Sequence, residues 1–150
     1  MNTDINQIAK NTRETLKKEF PNCKFSVTLH KYSGGRTMTI ALMSADFEAM
    51  KSNASWDGEA QLNRYQLLKS FEERSGTQIV NNEWTEIPEG YALCNGALVS
   101  RKAWEVLHRA AEVGNADNWD NSDSMTDYFD VNYYLDINIG KWNVPFQVTK

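Results

Sequence analysis

The sequence predicts an α+β domain: an antiparallel sheet of about four strands, supplied by hairpins at 23–43 and 128–148, with helices laid on one face. Two stretches, 25–42 and 129–139, alternate apolar and polar residues with the two-residue period of half-buried strands. Two others, 4–19 and 101–113, repeat apolar residues at helical spacing. The order helix, hairpin, helices, hairpin suits helices gathered on one side of an antiparallel sheet.

Each element has its own local argument. Thr3 and Asp4 are candidate N-caps for a first helix whose apolar sector is Ile5, Ile8, Thr12, Leu16 and Phe20, with Lys10, Arg13, Lys17 and Lys18 mostly opposite. Pro21 and Asn22 stop it. Phe25, Val27 and Leu29 then alternate with polar neighbours, as do Met38, Ile40 and Leu42. The Tyr32-Ser33-Gly34-Gly35-Arg36 sequence between them predicts a loop of three to five residues rather than a tight turn. A short helix is expected at 45–52, a loop carrying Trp56 at 53–58, and a longer helix at 59–74 with Leu62, Tyr65, Leu68 and Phe71 on one side. The stretch 77–99, punctuated by Pro88, Gly90 and Gly96, gives no firm assignment. Ser100 caps the next helix, which buries Ala103, Trp104, Leu107, Ala110 and Ala111 and ends at Gly114.

The last hairpin is the plainest stretch. Phe129, Val131, Tyr133, Leu135, Ile137 and Ile139 form one face, and only Tyr134 breaks the polar register between them. Gly140-Lys141 suits a two-residue type II′ turn, after which Trp142, Val144, Phe146 and Val148 resume the alternation.

The 150 residues fit one domain, 1–150, large enough to fold without disulfides or metals. No apolar run reaches signal-peptide or membrane-spanning length, so a cytoplasmic protein is expected, with Cys23 and Cys94 as two thiols. The net charge of −4 is unevenly placed. Between Arg109 and Lys141 there is no Lys or Arg, whereas Glu112, Asp117, Asp120, Asp123, Asp127, Asp130 and Asp136 give −7, leaving the remainder at +3. Such a segment steers partners of opposite sign.

Catalytic signatures are missing from the sequence. His30 falls on a polar strand face and His108 is a boundary residue beside Leu107 on a helix, neither beside a Cys or Ser in a nucleophile signature, and no G-x-S-x-G occurs. The run from Asp117 to Ser124 offers oxygen ligands but lacks the calcium-loop order of Asp, Gly and Glu, and reads as a solvated turn. Ser33-Gly34-Gly35-Arg36 joins two strands and is no P-loop. No metal and no cofactor is expected.

The first helix together with Lys24-Phe25-Ser26-Val27 and Tyr32-Ser33-Gly34-Gly35, about residues 4–43, resembles a small domain among the large polyvalent-protein-associated domains of phages and conjugative elements. Asp117-Asn118-Trp119-Asp120-Asn121-Ser122-Asp123-Ser124 and Asp127-Tyr128-Phe129-Asp130-Val131, within about 115–146, look like phage-encoded relatives. The resemblance implies a mobile-element origin, an α+β fold, and association with proteins that accompany invading DNA and counter host defences. It carries over no catalytic residue and does not reach 53–99.

The expected function is therefore that of a non-enzymatic phage or mobile-element accessory protein that binds and inhibits a host defence component, of anti-CRISPR or antirestriction type. The expected contacts are Asp117, Trp119, Asp120, Asp123, Asp127 and Asp130, whose carboxylates imitate phosphates before a basic groove. The alternative is a nucleic-acid-associated domain using Lys24, His30, Tyr32 and Arg36.

Overall fold

Asp4 starts the first helix as expected, accepting the Asn6 N–H at 3.0 Å, and helix α1 runs Ile5–Glu19 with Ile5, Ile8, Ala9, Thr12 and Leu16 buried. The hydroxyl of buried Thr12 is satisfied within the helix by donating to the Ile8 carbonyl at 2.8 Å. The computed structural model describes residues 4–33, 35–51, 60–62, 64–68, 71, 76–80, 83–94, 97–116, 118, 133–141 and 144–149. Trp56 and the rest of 53–58 lie outside them.

The first hairpin forms as the alternation requires. Strands β1 (Lys24–Tyr32) and β2 (Gly35–Ala45) pair antiparallel, setting Phe25 against Leu42, Val27 against Ile40 and Leu29 against Met38 on the covered face. Pairing continues to Tyr32 and Gly35, so only Ser33 and Gly34 lie between the strands. The expected longer loop is thus replaced by a two-residue connection, because the ladder continues to the last pair that can form.

Two expected helices give way to sheet. At 45–52, β2 runs on to Ala45 and a short strand β3 (Met50–Lys51) follows. Among the described residues of 59–74 the chain makes strand β4 (Ala60–Leu62) and one short helix, α2 (Arg64–Leu67). The spacing of apolar residues was compatible with helix in both places, but Met50 pairs with Val99 and Leu62 with Ile137, and tertiary pairing outweighs local propensity. Leu67 is buried instead of Leu68.

The stretch that resisted assignment contains β5 (Gly76–Val80) with β6 (Glu83–Ile87), and β7 (Tyr91–Cys94) with β8 (Ala97–Ser100). The first two form a two-stranded sheet, and β3, β8 and β7 a three-stranded one. Helix α3 (Arg101–Gly114) begins directly from β8, capped by Ser100 as predicted. Gly114 is its last residue, and its role is close approach: a Cβ there would lie 2.7 Å from Ile40 Cδ1.

The expected antiparallel sheet is mixed. Strand β9 (Tyr134–Ile139) lies parallel to β2, pairing Thr37 with Tyr134 through Leu42 with Ile139, and antiparallel to β4 on its other side. Its parity matches the sequence reading, with Tyr133, Leu135, Ile137 and Ile139 buried. The hairpin expected at 128–148 does not form. Strand β10 (Gln147–Val148) also pairs parallel with β2, at Ser44 and Ala45. Since β1 holds the other edge there, β10 continues along the edge that β9 occupies. After Ile139 the chain swings out, with Lys141 and Val144 exchanging hydrogen bonds of 2.8 and 3.0 Å, and then resumes the same direction. The main sheet is therefore β1-β2-β9-β4, with β10 extending beside β2.

Helices α1 and α3 cover one face of this sheet, and the core joins their apolar sides to Val27, Met38, Ile40, Leu42, Leu135, Ile137 and Ile139. Arg13 of α1 donates to the Val27 carbonyl at 2.7 and 3.2 Å, and Arg109 of α3 grips Glu19 with two bonds of 2.8 and 3.0 Å. Cys23 and Cys94 form no disulfide. No helix among the described residues is long and apolar enough to cross a membrane.

Candidate functional site

Asp117, Trp119, Asp120, Asp123, Asp127 and Asp130 lie outside the described residues, but Asn118 and Tyr133 are among them. Asn118 donates from Nδ2 to the Tyr133 carbonyl at 2.9 Å and accepts the Tyr133 N–H on Oδ1 at 3.2 Å. A second Nδ2 proton goes to Asn115 Oδ1 at 3.0 Å, at the C-cap of α3. Tyr133, 1% exposed, sends its hydroxyl to the Gly114 carbonyl. Asn118 and Tyr133, which bracket residues 119–132 in the sequence, are thus held together at one clamped point, between the end of α3 and the start of β9.

The flanking carboxylates have other duties. Glu112 sits 3.8 Å from His108 and 3.9 Å from Arg109 along α3, and Asp136 is exposed on β9 opposite Thr39. His108, expected as a boundary residue, ties α3 to α2: Nδ1 lies 2.7 Å from the Leu67 carbonyl, which can only accept, so this nitrogen carries the proton.

The alternative set divides. His30 and Tyr32 stand together on the uncovered face of the main sheet, exposed, with ring centroids 5.5 Å apart. Lys24 is eight residues from Tyr32 along β1, about 25 Å away at strand rise, and the register slips beside it. Arg36 pairs with Lys31 and so projects from the opposite face, though at the same hairpin end. The structure adds Tyr134, which reasoning from sequence had noted only as a break in alternation. It flanks Thr37 on β9 as His30 does on β1, making a row across three strands. Where a Cβ of Gly35 would be, Tyr134 Cε2 is at 3.4 Å and Tyr32 Cε2 at 3.7 Å, so both rings border the space over the glycine. The only sequence signal was that irregular Tyr134 itself.

A cavity of about 320 Å³ lies between the end of α1, the bend after β2, and α3, lined by Phe20, Cys23, Asp46, Phe47, Lys102 and Glu105 among others. Burial, reinforced by the Asp46 carboxylate and partly offset by Lys102, pushes the Cys23 thiol above its usual value. The thiolate is disfavoured there, which makes Cys23 a poor nucleophile. Among the described residues no three His, Cys, Asp or Glu side chains gather as a metal site would require.

No curated protein and no solved structure matches the chain. Residues 3–96, from the first helix through β7, match the family described as large polyvalent protein associated domain 29. That match takes in the hairpin whose motifs suggested the resemblance and also the stretch after it that the motifs did not reach. The chain belongs to the large polyvalent protein associated domain 29 family and is a phage- or mobile-element-associated protein.

Proposed function

We propose that this is a non-enzymatic binding protein that acts in the host cytoplasm, engaging and inhibiting a component of host defence, of anti-CRISPR or antirestriction type, through its acidic segment. The observation that carries the reading is the clamp between Asn118 and Tyr133, the two residues that bracket in sequence a segment rich in carboxylates. Fixed ends reduce the chain entropy that a segment loses on docking. The concentration of negative charge speeds encounter with a basic groove and disfavours acidic partners. Trp119, amid the carboxylates, supplies the large aromatic contact that interfaces commonly use.

The test is recovery of host proteins on immobilised wild type and on a variant carrying Asn at Asp117, Asp120, Asp123, Asp127 and Asp130. The variant is expected to lose a partner that the wild type retains, and that partner's capture should weaken as salt rises. Equal recovery of every partner by both proteins defeats the reading.

A further inference from the structure

We infer that the open face of the main sheet at its hairpin end binds single-stranded nucleic acid, with bases stacked on Tyr32, Tyr134 and His30. This site is separate from the acidic segment and does not depend on it.

The three rings form one surface. His30 and Tyr32 are two residues apart on β1, and their centroids lie 5.5 Å apart with planes inclined by 34°. Tyr134 is two strands over, so its Cα lies about 10 Å from that of His30 at ordinary strand spacing, and its ring borders the same space over Gly35 that Tyr32 does. The Tyr32 hydroxyl is 3.0 Å from Thr37 Oγ1, which holds its ring across the strands. Tyr32 is 44% exposed and Tyr134 39%, a placement that hydrophobicity alone does not favour for two neighbouring large rings. Flat rings on an open sheet face accept the faces of unstacked bases, whereas a duplex keeps its bases paired away from them.

Charge selects the occupant. From Phe20 to Ala45 the chain contains Lys24, Lys31 and Arg36 and no carboxylate. Lys31 and Arg36 form a cross-strand rung at the same end of the hairpin as the rings. They rise from the other face, but their charges act within roughly a Debye length, about 8 Å at physiological salt. Asp136 sets the limit on the other side: it lies two residues beyond Tyr134 on the same face and repels phosphate. The site is therefore short, two or three bases, with its backbone over the hairpin tip and away from Asp136.

Fluorescence anisotropy with a labelled ten-residue oligo-dT, at low and moderate salt, tests this. Wild type is expected to bind the single strand, with an unlabelled duplex competing poorly. Tyr32→Ala and Tyr134→Ala should each weaken binding roughly 5- to 100-fold, while Tyr134→Phe, which keeps the ring, stays near wild type. Asp136→Asn should tighten binding, and Lys31→Glu with Arg36→Glu should weaken it. The five-Asp variant should bind the oligonucleotide at least as tightly as wild type, which separates this site from the proposed partner surface. Thermal melts confirm that each variant is folded. Failure of wild type to bind oligo-dT at low salt, equal competition by duplex, folded alanine variants of undiminished affinity, or a Phe variant as weak as Ala each overturns the inference.

Discussion

Asn118 and Tyr133 hold each other by a reciprocal pair of bonds, side-chain amide to both backbone groups, at 2.9 and 3.2 Å. The pair joins the two residues that bracket 119–132 in sequence and sets the first residue before β9 against the end of α3. Because β9 lies between β2 and β4, this clamp also positions the strand on which both halves of the sheet depend.

Removing either partner should therefore destabilise the whole domain. Asn118→Ala leaves the Tyr133 N–H and carbonyl without this partner, a loss of about 1–3 kcal/mol. Tyr133→Phe removes the hydroxyl from the Gly114 carbonyl, which costs about 1–2 kcal/mol. The double variant should lose less than the sum, since both act on one junction. Urea denaturation of the four proteins measures this, and strict additivity would show the two bonds to be independent.

The contact of Gly114 with the sheet leads to a second expectation. A methyl group there would sit 2.7 Å from Ile40 Cδ1 and 3.1 Å from Leu135 Cδ1. Both side chains are within the core and have little room to yield. Alanine favours helix over glycine by up to about 1 kcal/mol, but overpacking costs about 1–3 kcal/mol. Gly114→Ala should thus lower the denaturation midpoint. Ile40→Val deletes the obstructing Cδ1, so adding it to Gly114→Ala should restore stability, whereas on its own it costs about 0.5–1.5 kcal/mol.

Ser100 joins strand to helix through one hydroxyl. Its Oγ accepts the Ala103 N–H at 3.2 Å as the N-cap of α3 and donates to the Glu48 carbonyl at 2.7 Å, while its own N–H reaches the Ala49 carbonyl at 2.9 Å. Ser100→Ala forfeits the cap and the tether together, about 1–2 kcal/mol. Ser100→Gly, a better N-cap than alanine, should recover part of the cap but not the bond to Glu48, and so fall between alanine and wild type. Thermal melts of the two variants check this, and a glycine variant near wild type would show that only the helix end matters.

Much of the fold was legible locally. Asp4 and Ser100 were readable as caps because an N-cap is satisfied by residues two or three positions on. The facing of Val27, Ile40, Leu135 and Ile137 followed from parity alone. Residues 45–52 and 59–74 misled because apolar spacing in a short window fits helix and strand alike. Met50 and Leu62 take strand geometry through partners some fifty to seventy-five positions later. At the candidate site, His30 and Tyr32 were readable as an exposed pair, but Tyr134 joins them only through the register of β9 on β2.

The amino-acid sequence by itself determined which faces are apolar, where the two long helices begin, and where negative charge is concentrated. Only the tertiary structure decided that β9 runs parallel to β2, that β10 follows it instead of folding back, and that Tyr134 stands beside Tyr32. The reason is physical: side chains alternate about a strand whatever lies next to it, while the backbone groups that choose a neighbour and its direction are the same in nearly every residue.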